Sequence, residues 1–218
     1  MAASNRAGGL GYIADRDPAQ RPQAVEATRA GYEMAKANVL FNPQGSNESD
    51  ALLVLTERLA TQLDRSGRKA EAEFYMREAV ALSEALVRRD PQSRRNPYLQ
   101  FCEDELLGEM LVGHGKWSDA ATPLARAERE MADFLSREPS DTLALQNKVS
   151  VFHYQALIFR HAGDLPHARQ RCQAALEVAA ILVRRDPAME KSFDGLDKLR
   201  LLARQLKIPD PTLPASKP

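Results

Sequence analysis

The sequence predicts an all-α fold, a right-handed α-solenoid of antiparallel helix pairs, on three observations. Prolines at Pro43, Pro91, Pro139 and Pro187 are each 48 residues apart, and Gly67, Gly115 and Gly163 keep the same step. The hexapeptide Leu-Val-Arg-Arg-Asp-Pro stands at 86–91 and again at 182–187, with a diverged copy, Leu-Ser-Arg-Glu-Pro, at 135–139 between them. Apolar residues keep fixed offsets from each glycine: Leu63, Leu111 and Phe159 four before, Ala72, Ala120 and Ala168 five after, Met76, Leu124 and Cys172 nine after, and Ala79, Ala127 and Ala175 twelve after. Matched spacing of this kind marks one building block used repeatedly, each copy sheltering its neighbour's apolar flank.

The units follow in order. Residues 1–18 read as an irregular or truncated N-terminal segment, in which Leu10 to Ala14 is the remnant of a first helix. Residues 19–43 read as a half-repeat, a second helix alone, with Ala24 and Gly31 in its two small positions and Pro43 closing it. The missing first helix predicts that the chain was cut from a longer polypeptide, an atypical natural cap being the other reading. Repeat 1 spans 44–91, repeat 2 spans 92–139 and repeat 3 spans 140–187. Their first helices are expected over 50–66, 97–114 and 142–162, entered at Ser49-Asp50, Asn96-Pro97 and Ser140-Asp141. Each turn glycine supplies a left-handed residue that closes its helix. Second helices are expected over 69–89, 117–137 and 165–185, stopped by a proline that cannot continue them. Arg88, Arg89, Arg137, Arg184 and Arg185 fall in last turns, where cations suit the negative end of the helix dipole. Pro123 lies inside the second helix of repeat 2 and predicts a late start or a bend there. Trp117 is expected to pack between repeats.

Residues 188–207 form a C-terminal capping helix. Phe193, Leu196, Leu199, Leu202 and Leu206 make its apolar stripe, and Lys198, Arg200 and Arg204 face away. Residues 208–218 carry four prolines and read as a disordered tail.

Composition narrows the function. Lys plus Arg and Asp plus Glu each total 30, and a chain without basic excess is a poor neutraliser of phosphates, which argues against nucleic acid as partner. No apolar run is long enough to span a membrane, which argues against a membrane partner. Cys102 and Cys172 lie 70 residues apart, outside any Cys-x-x-Cys spacing, so a reduced, cytoplasmic setting fits. Arg outnumbers Lys 22 to 8, a hint of a GC-rich bacterial source.

Leu107-Gly108, Leu111, Gly115, Trp117, Ala120, Leu124, Ala127 and Pro139 reproduce, in order, the pattern of the tetratricopeptide repeat (TPR), and residues 44–187 resemble that family throughout. The resemblance is to a long-helix variant. Glycine to proline spans 24 residues here, about seven more than in the ordinary 34-residue motif, so the second helix gains about two turns. The resemblance implies a protein–protein interaction scaffold whose first helices line a concave groove for a peptide or helix of a partner, as in modules of large bacterial signalling proteins.

No chemistry competes strongly with that reading. His153 and His161 are eight apart, too far for a helical metal pair. No Cys–His cluster has zinc spacing, and no nucleotide-loop, nucleophile-elbow or metalloprotease motif is present. No metal, cofactor or enzyme activity is therefore expected. Cys102 sits beside Glu103, Asp104 and Glu105, which disfavour a thiolate, and Cys172 reads as a small buried hydrophobe. The groove offsets that the resemblance supplies select Val54, Glu57, Thr61 and Asp64, then Cys102, Glu105, Glu109 and Val112, then Ser150, His153, Leu157 and Arg160. Some family members grip a peptide's terminal carboxylate with a lysine where Glu57, Glu105 and His153 stand here. The expected ligand is instead basic toward repeats 1 and 2, the same charges serving otherwise as a solvated face. Two other uses stay open: a regulatory sensor domain binding a small molecule or short peptide in a closed pocket near Phe101 and Tyr154, and self-association as a homodimer through the terminal helix.

Overall fold

The structure, a computed structural model, describes residues 18–193 and 195–212. The segment before Pro18, with its expected helix remnant, and the tail beyond Thr212 lie outside the described residues. A 3-10 turn at Pro18–Gln20 leads into α1 (Arg21–Phe41), α2 (Ser46–Arg65), α3 (Lys69–Arg89), α4 (Arg95–Gly113), α5 (Trp117–Arg137), α6 (Thr142–His161), α7 (Leu165–Arg185), α8 (Met189–Ser192) and α9 (Gly195–Leu206). No strand occurs among the described residues, so the fold is all-α. The chain divides into two compact units, one ending at Met110 and one starting at Leu111.

Three matching turns join first to second helices. Gly67, Gly115 and Gly163 adopt φ of 77°, 77° and 79°. Around each, the glycine N–H donates three residues back and the next N–H donates five back. The pairs are Gly67 to Asp64 O (2.9 Å) with Arg68 to Leu63 O (2.9 Å), Gly115 to Val112 O (3.0 Å) with Lys116 to Leu111 O (2.8 Å), and Gly163 to Arg160 O (3.1 Å) with Asp164 to Phe159 O (2.9 Å). This is the Schellman closure, which satisfies carbonyls that a helix end leaves without partners.

In the first unit α1 packs on α2 and α2 on α3. Ala24, Ala60, Leu63, Ala72, Met76 and Ala79 are all fully buried, since small residues at a crossing let helix axes approach to the short end of the usual 8–10 Å. Tyr32 of α1 meets Tyr75 of α3 edge-on at 5.3 Å and donates from its hydroxyl to Glu78 (2.8 Å). Helix α2 begins at Ser46, four residues before the expected start, because the Ser49 N–H (3.2 Å) and hydroxyl (3.0 Å) both donate to the Gly45 carbonyl and fold that stretch into the first turn. The Asn96 side chain donates to the Leu86 carbonyl (3.0 Å), which holds the entry of α4 against the exit of α3.

In the second unit α6 packs on α7 and α5 on α6, and α9 covers α7. Ala120, Leu124, Ala127, Ala156, Ala168, Cys172 and Ala175 are fully buried. Pro123 does not delay its helix: α5 starts at Trp117 and continues to Arg137 with the proline buried inside it. One i→i−4 bond is lost, since proline has no N–H to offer Asp119.

Two expectations for the C-terminus change. The capping helix is not continuous: Phe193 takes an extended backbone (φ −93°, ψ 95°) between α8 and α9. Its ring lies where a Cβ on Gly195 would come within 3.2 Å, so glycine suits the corner. Leu196, Leu199, Leu202 and Leu206 are buried as expected, but Arg200 does not face away. Its guanidinium bonds Glu190 (3.0 Å), Asp210 (3.2 Å) and the Thr212 hydroxyl (2.8 Å). Residues 208–212, assigned by proline content to the disordered tail, are thereby fastened down, with the Ile208 N–H on the Ala203 carbonyl (2.9 Å) and Thr212 buried.

The paired arginines also do more than suit a dipole. Arg89 reaches back to the Ser49 hydroxyl (2.9 Å) and the Pro43 carbonyl (3.4 Å), and Arg185 to the Ser140 carbonyl (3.5 Å). Each ties the end of a second helix to the stretch around the start of the first helix before it. Phe41 occupies the matching place in α1 and is 93% exposed.

Candidate partner-binding faces on the first helices

On α2, Val54, Glu57, Thr61 and Asp64 recur at steps of three and four, which places them on one helix face. Val54 is 41% exposed and the other three are half-buried. The Thr61 hydroxyl donates to the Glu57 carbonyl (3.1 Å). Burial raises the Glu57 carboxyl above the ordinary glutamate range, partly opposed by Arg58.

On α4 the expected contacts are less open. Glu109 and Cys102 are half-buried, whereas Val112 and Glu105 are covered, Glu105 to 7% exposure. The residue that sequence reasoning missed is Glu103, which is 2% exposed with an Oε2 that has no hydrogen-bond partner. Burial pushes its carboxyl up to about 9, and the negative charges of Glu57 and then Asp104 push the same way. Burial, followed by Glu105, Glu103 and Glu57, also raises the Cys102 thiol. Burial first, and the acidic neighbours after it, thus disfavour the thiolate. In the first unit the Cys102 thiol feels the charges of Glu105, Glu103 and Glu57, and the Glu103 carboxyl those of Glu57 and Asp104. The signal for this was in the sequence. Three consecutive acids on a helix sweep about 200° of its circumference, so Glu103, Asp104 and Glu105 could not all face solvent between Phe101 and Leu107.

On α6, Ser150, Leu157 and Arg160 are half-buried, and Arg160 donates to the Gln205 side chain of α9. His153 is 8% exposed, with an Nδ1 that has no partner. Burial, with Lys198 and Arg160 adding, lowers it to about 4, so it is neutral at ordinary pH and presents no charge. Trp117 stacks on His161 at 4.4 Å and 17°, joining α5 to α6 as expected. Beside them an open cavity of about 470 Å³ is lined by Lys116, Trp117, Asp119, Ile158 and His161. Among the described residues no group of three or more His, Cys, Asp or Glu could hold a metal ion, and no helix is long and apolar enough to cross a membrane.

No protein-family model matches the chain, and no curated protein matches it. Solved structures do. The crystal structure of a Podosopora anserina kinesin light chain variant, built of nearly identical TPR-like repeats, shares 14% identity at a TM-score of 0.56, over 95% of this chain and 99% of that one. The chain has the TPR-like repeat fold. BtubC (BKLC) from P. vanneervenii also shares 14% identity, at a TM-score of 0.50, over 99% of this chain and 94% of that one.

Proposed function

We propose that this TPR-like protein is a non-catalytic interaction scaffold whose first-helix faces hold a peptide or helix of a partner protein, in a bacterial cytoplasm. The observation that carries the reading is the division of α2 into two faces. Ala60 and Leu63 are fully buried in the seam. Val54, Glu57, Thr61 and Asp64 stay partly uncovered along another face. A face that keeps mixed apolar and acidic side chains half in water is suited to a segment that brings a few apolar anchors and positive charge.

The test is charge reversal. Asp64→Lys and Glu109→Lys together should weaken capture of basic peptides from an array and flatten its salt dependence, since exposed charges attract through a field that ions screen over about 8–10 Å. Helical content by circular dichroism should stay unchanged. Capture that is equal in wild type and double variant at low and high salt would refute the reading.

A further inference from the structure

Gln23, Ala27, Ala30, Met34, Ala37 and Phe41 of α1 recur at steps of four and three, so they share one helix face. All but Gln23 are apolar, in the spacing that one helix presents to another along a seam. Yet the face lies open to water. Ala30 and Ala37 are exposed, Met34 is 56% exposed and Phe41 almost wholly so. The buried side of α1, with Ala24, Thr28, Gly31 and Ala35, is a different one.

On the later second helices the same face is in use, and it is polar. One period on, Gln23, Ala27, Ala30 and Phe41 become Glu71, Tyr75, Glu78 and Arg89 of α3. All four grip what precedes them. Arg29 of α1 donates to Glu71 (3.3 Å) and to the Tyr75 hydroxyl (2.9 Å), the Tyr32 hydroxyl donates to Glu78 (2.8 Å), and Arg89 donates to the Pro43 carbonyl (3.4 Å). In the second unit Arg171 of α7 stands where Tyr75 does and donates to Glu128 of α5 (2.7 Å), while Arg185 stands where Arg89 does and reaches Ser140. On this face, then, a second helix meets the helix before it. On α1 every charged member of the set is gone. A further repeat of this kind would bring its arginine and tyrosine to a face without a carboxylate.

We infer that this face of α1 is a self-association surface, which pairs with the same face of a second copy of the chain across a two-fold axis. A two-fold contact sets identical patches together, so an apolar stripe meets an apolar stripe and neither copy has to supply a charge. The three alanines let the two helix axes approach closely. Run antiparallel about Met34, the stripe sets Phe41 of each copy over Ala27 of the other, large against small, seven residues to either side of the axis. Head-to-tail stacking is the poorer arrangement, because α7, the last of the second helices, is covered by α9.

Sedimentation equilibrium of the intact chain tests the pairing. The average mass should rise from one chain toward two as concentration increases. Met34→Lys places a charge in a seam that excludes water and should weaken association about tenfold or more, with helical content by circular dichroism unchanged. Leu201→Lys, at an exposed leucine of α9, should leave association as it is. Met34→Cys, beside the axis, should form a covalent dimer under mild oxidation to a greater extent than wild type. A wild-type chain that stays monomeric at every concentration overturns the inference, whether or not the variants fold. A dimer that Met34→Lys leaves intact and Leu201→Lys breaks overturns it as well. So does a monomer that associates only once residues 1–17 are removed, since the chain's own leading segment is then what covers the face.

Discussion

Replacing the three turn glycines with alanine gives the sharpest test of the repeat geometry. Each glycine sits at φ of 77–79°, and a Cβ built on any of them meets no atom within 4 Å. Packing therefore contributes nothing to the cost. What remains is the intrinsic penalty of an L-residue in the left-handed region, about 1–2 kcal/mol, partly offset by about 0.4–1 kcal/mol from the stiffer unfolded chain. Gly67→Ala, Gly115→Ala and Gly163→Ala should each cost about 1 kcal/mol net, and the three costs should agree because the three environments do. For a chain of this length, that is a fall in Tm of about 2–4 °C each. Asparagine, which visits the left-handed region more readily, should cost less at every site. Urea unfolding followed by far-ultraviolet circular dichroism reads the series, and the triple variant should approach the sum of the singles. A neutral or stabilising alanine, or costs that differ between sites by more than about 1 kcal/mol, would mean that the turns are not equivalent and that the repeat argument fails.

Further outcomes follow from other sites. Ala120→Leu, at a fully buried crossing on α5, should overpack the seam and cost about 1–3 kcal/mol; a neutral result in urea unfolding would show slack where the structure has none. Glu103→Gln should stabilise the protein, more so as pH rises. The folded carboxyl titrates near 9 against 4.5 in the open chain, so between those values the folded state holds a proton that the unfolded state has lost. Wild-type stability then falls with pH by up to about 1.4 kcal/mol per unit from this group, a slope that glutamine removes; parallel stability curves for variant and wild type from about pH 5 to 8 would refute it. Arg200→Ala should release residues 208–212 at a cost of about 1–2 kcal/mol, seen as faster exchange of the Ile208 and Thr212 amides. Unchanged exchange would show that the guanidinium is not what fastens them.

Much of this fold was readable because it depends on local, repeated chemistry. A glycine that must turn left and a proline that must end a helix announce themselves at fixed intervals, and helices α3, α5 and α7 occupy 69–89, 117–137 and 165–185 as their spacing required. What escaped was decided by partners distant in sequence. Arg89 and Arg185 read locally as helix-end cations, and only the packed unit shows them reaching Pro43 and Ser140. Proline content marked the tail as unstructured, but Arg200 supplies an anchor that composition does not reveal. The candidate faces divide the same way. The groove offsets that the resemblance supplies selected Glu57, Thr61 and Asp64, which stay partly uncovered, yet could not tell that Glu105 and His153 would be covered. Burial on a helix face depends on which neighbour lies over it, and periodicity carries no record of that.

The backward reach of Arg89 and Arg185 bears on how such a chain can lengthen. Each buckle is shorter than the 48-residue period, its two parts 46 residues apart at Arg89 and 45 at Arg185, strap at one end and eye at the other. A stretch copied in frame would arrive with both parts, needing no adjustment in the sequence it joins. An insertion between strap and eye would part them, whereas a whole added period leaves both where they are.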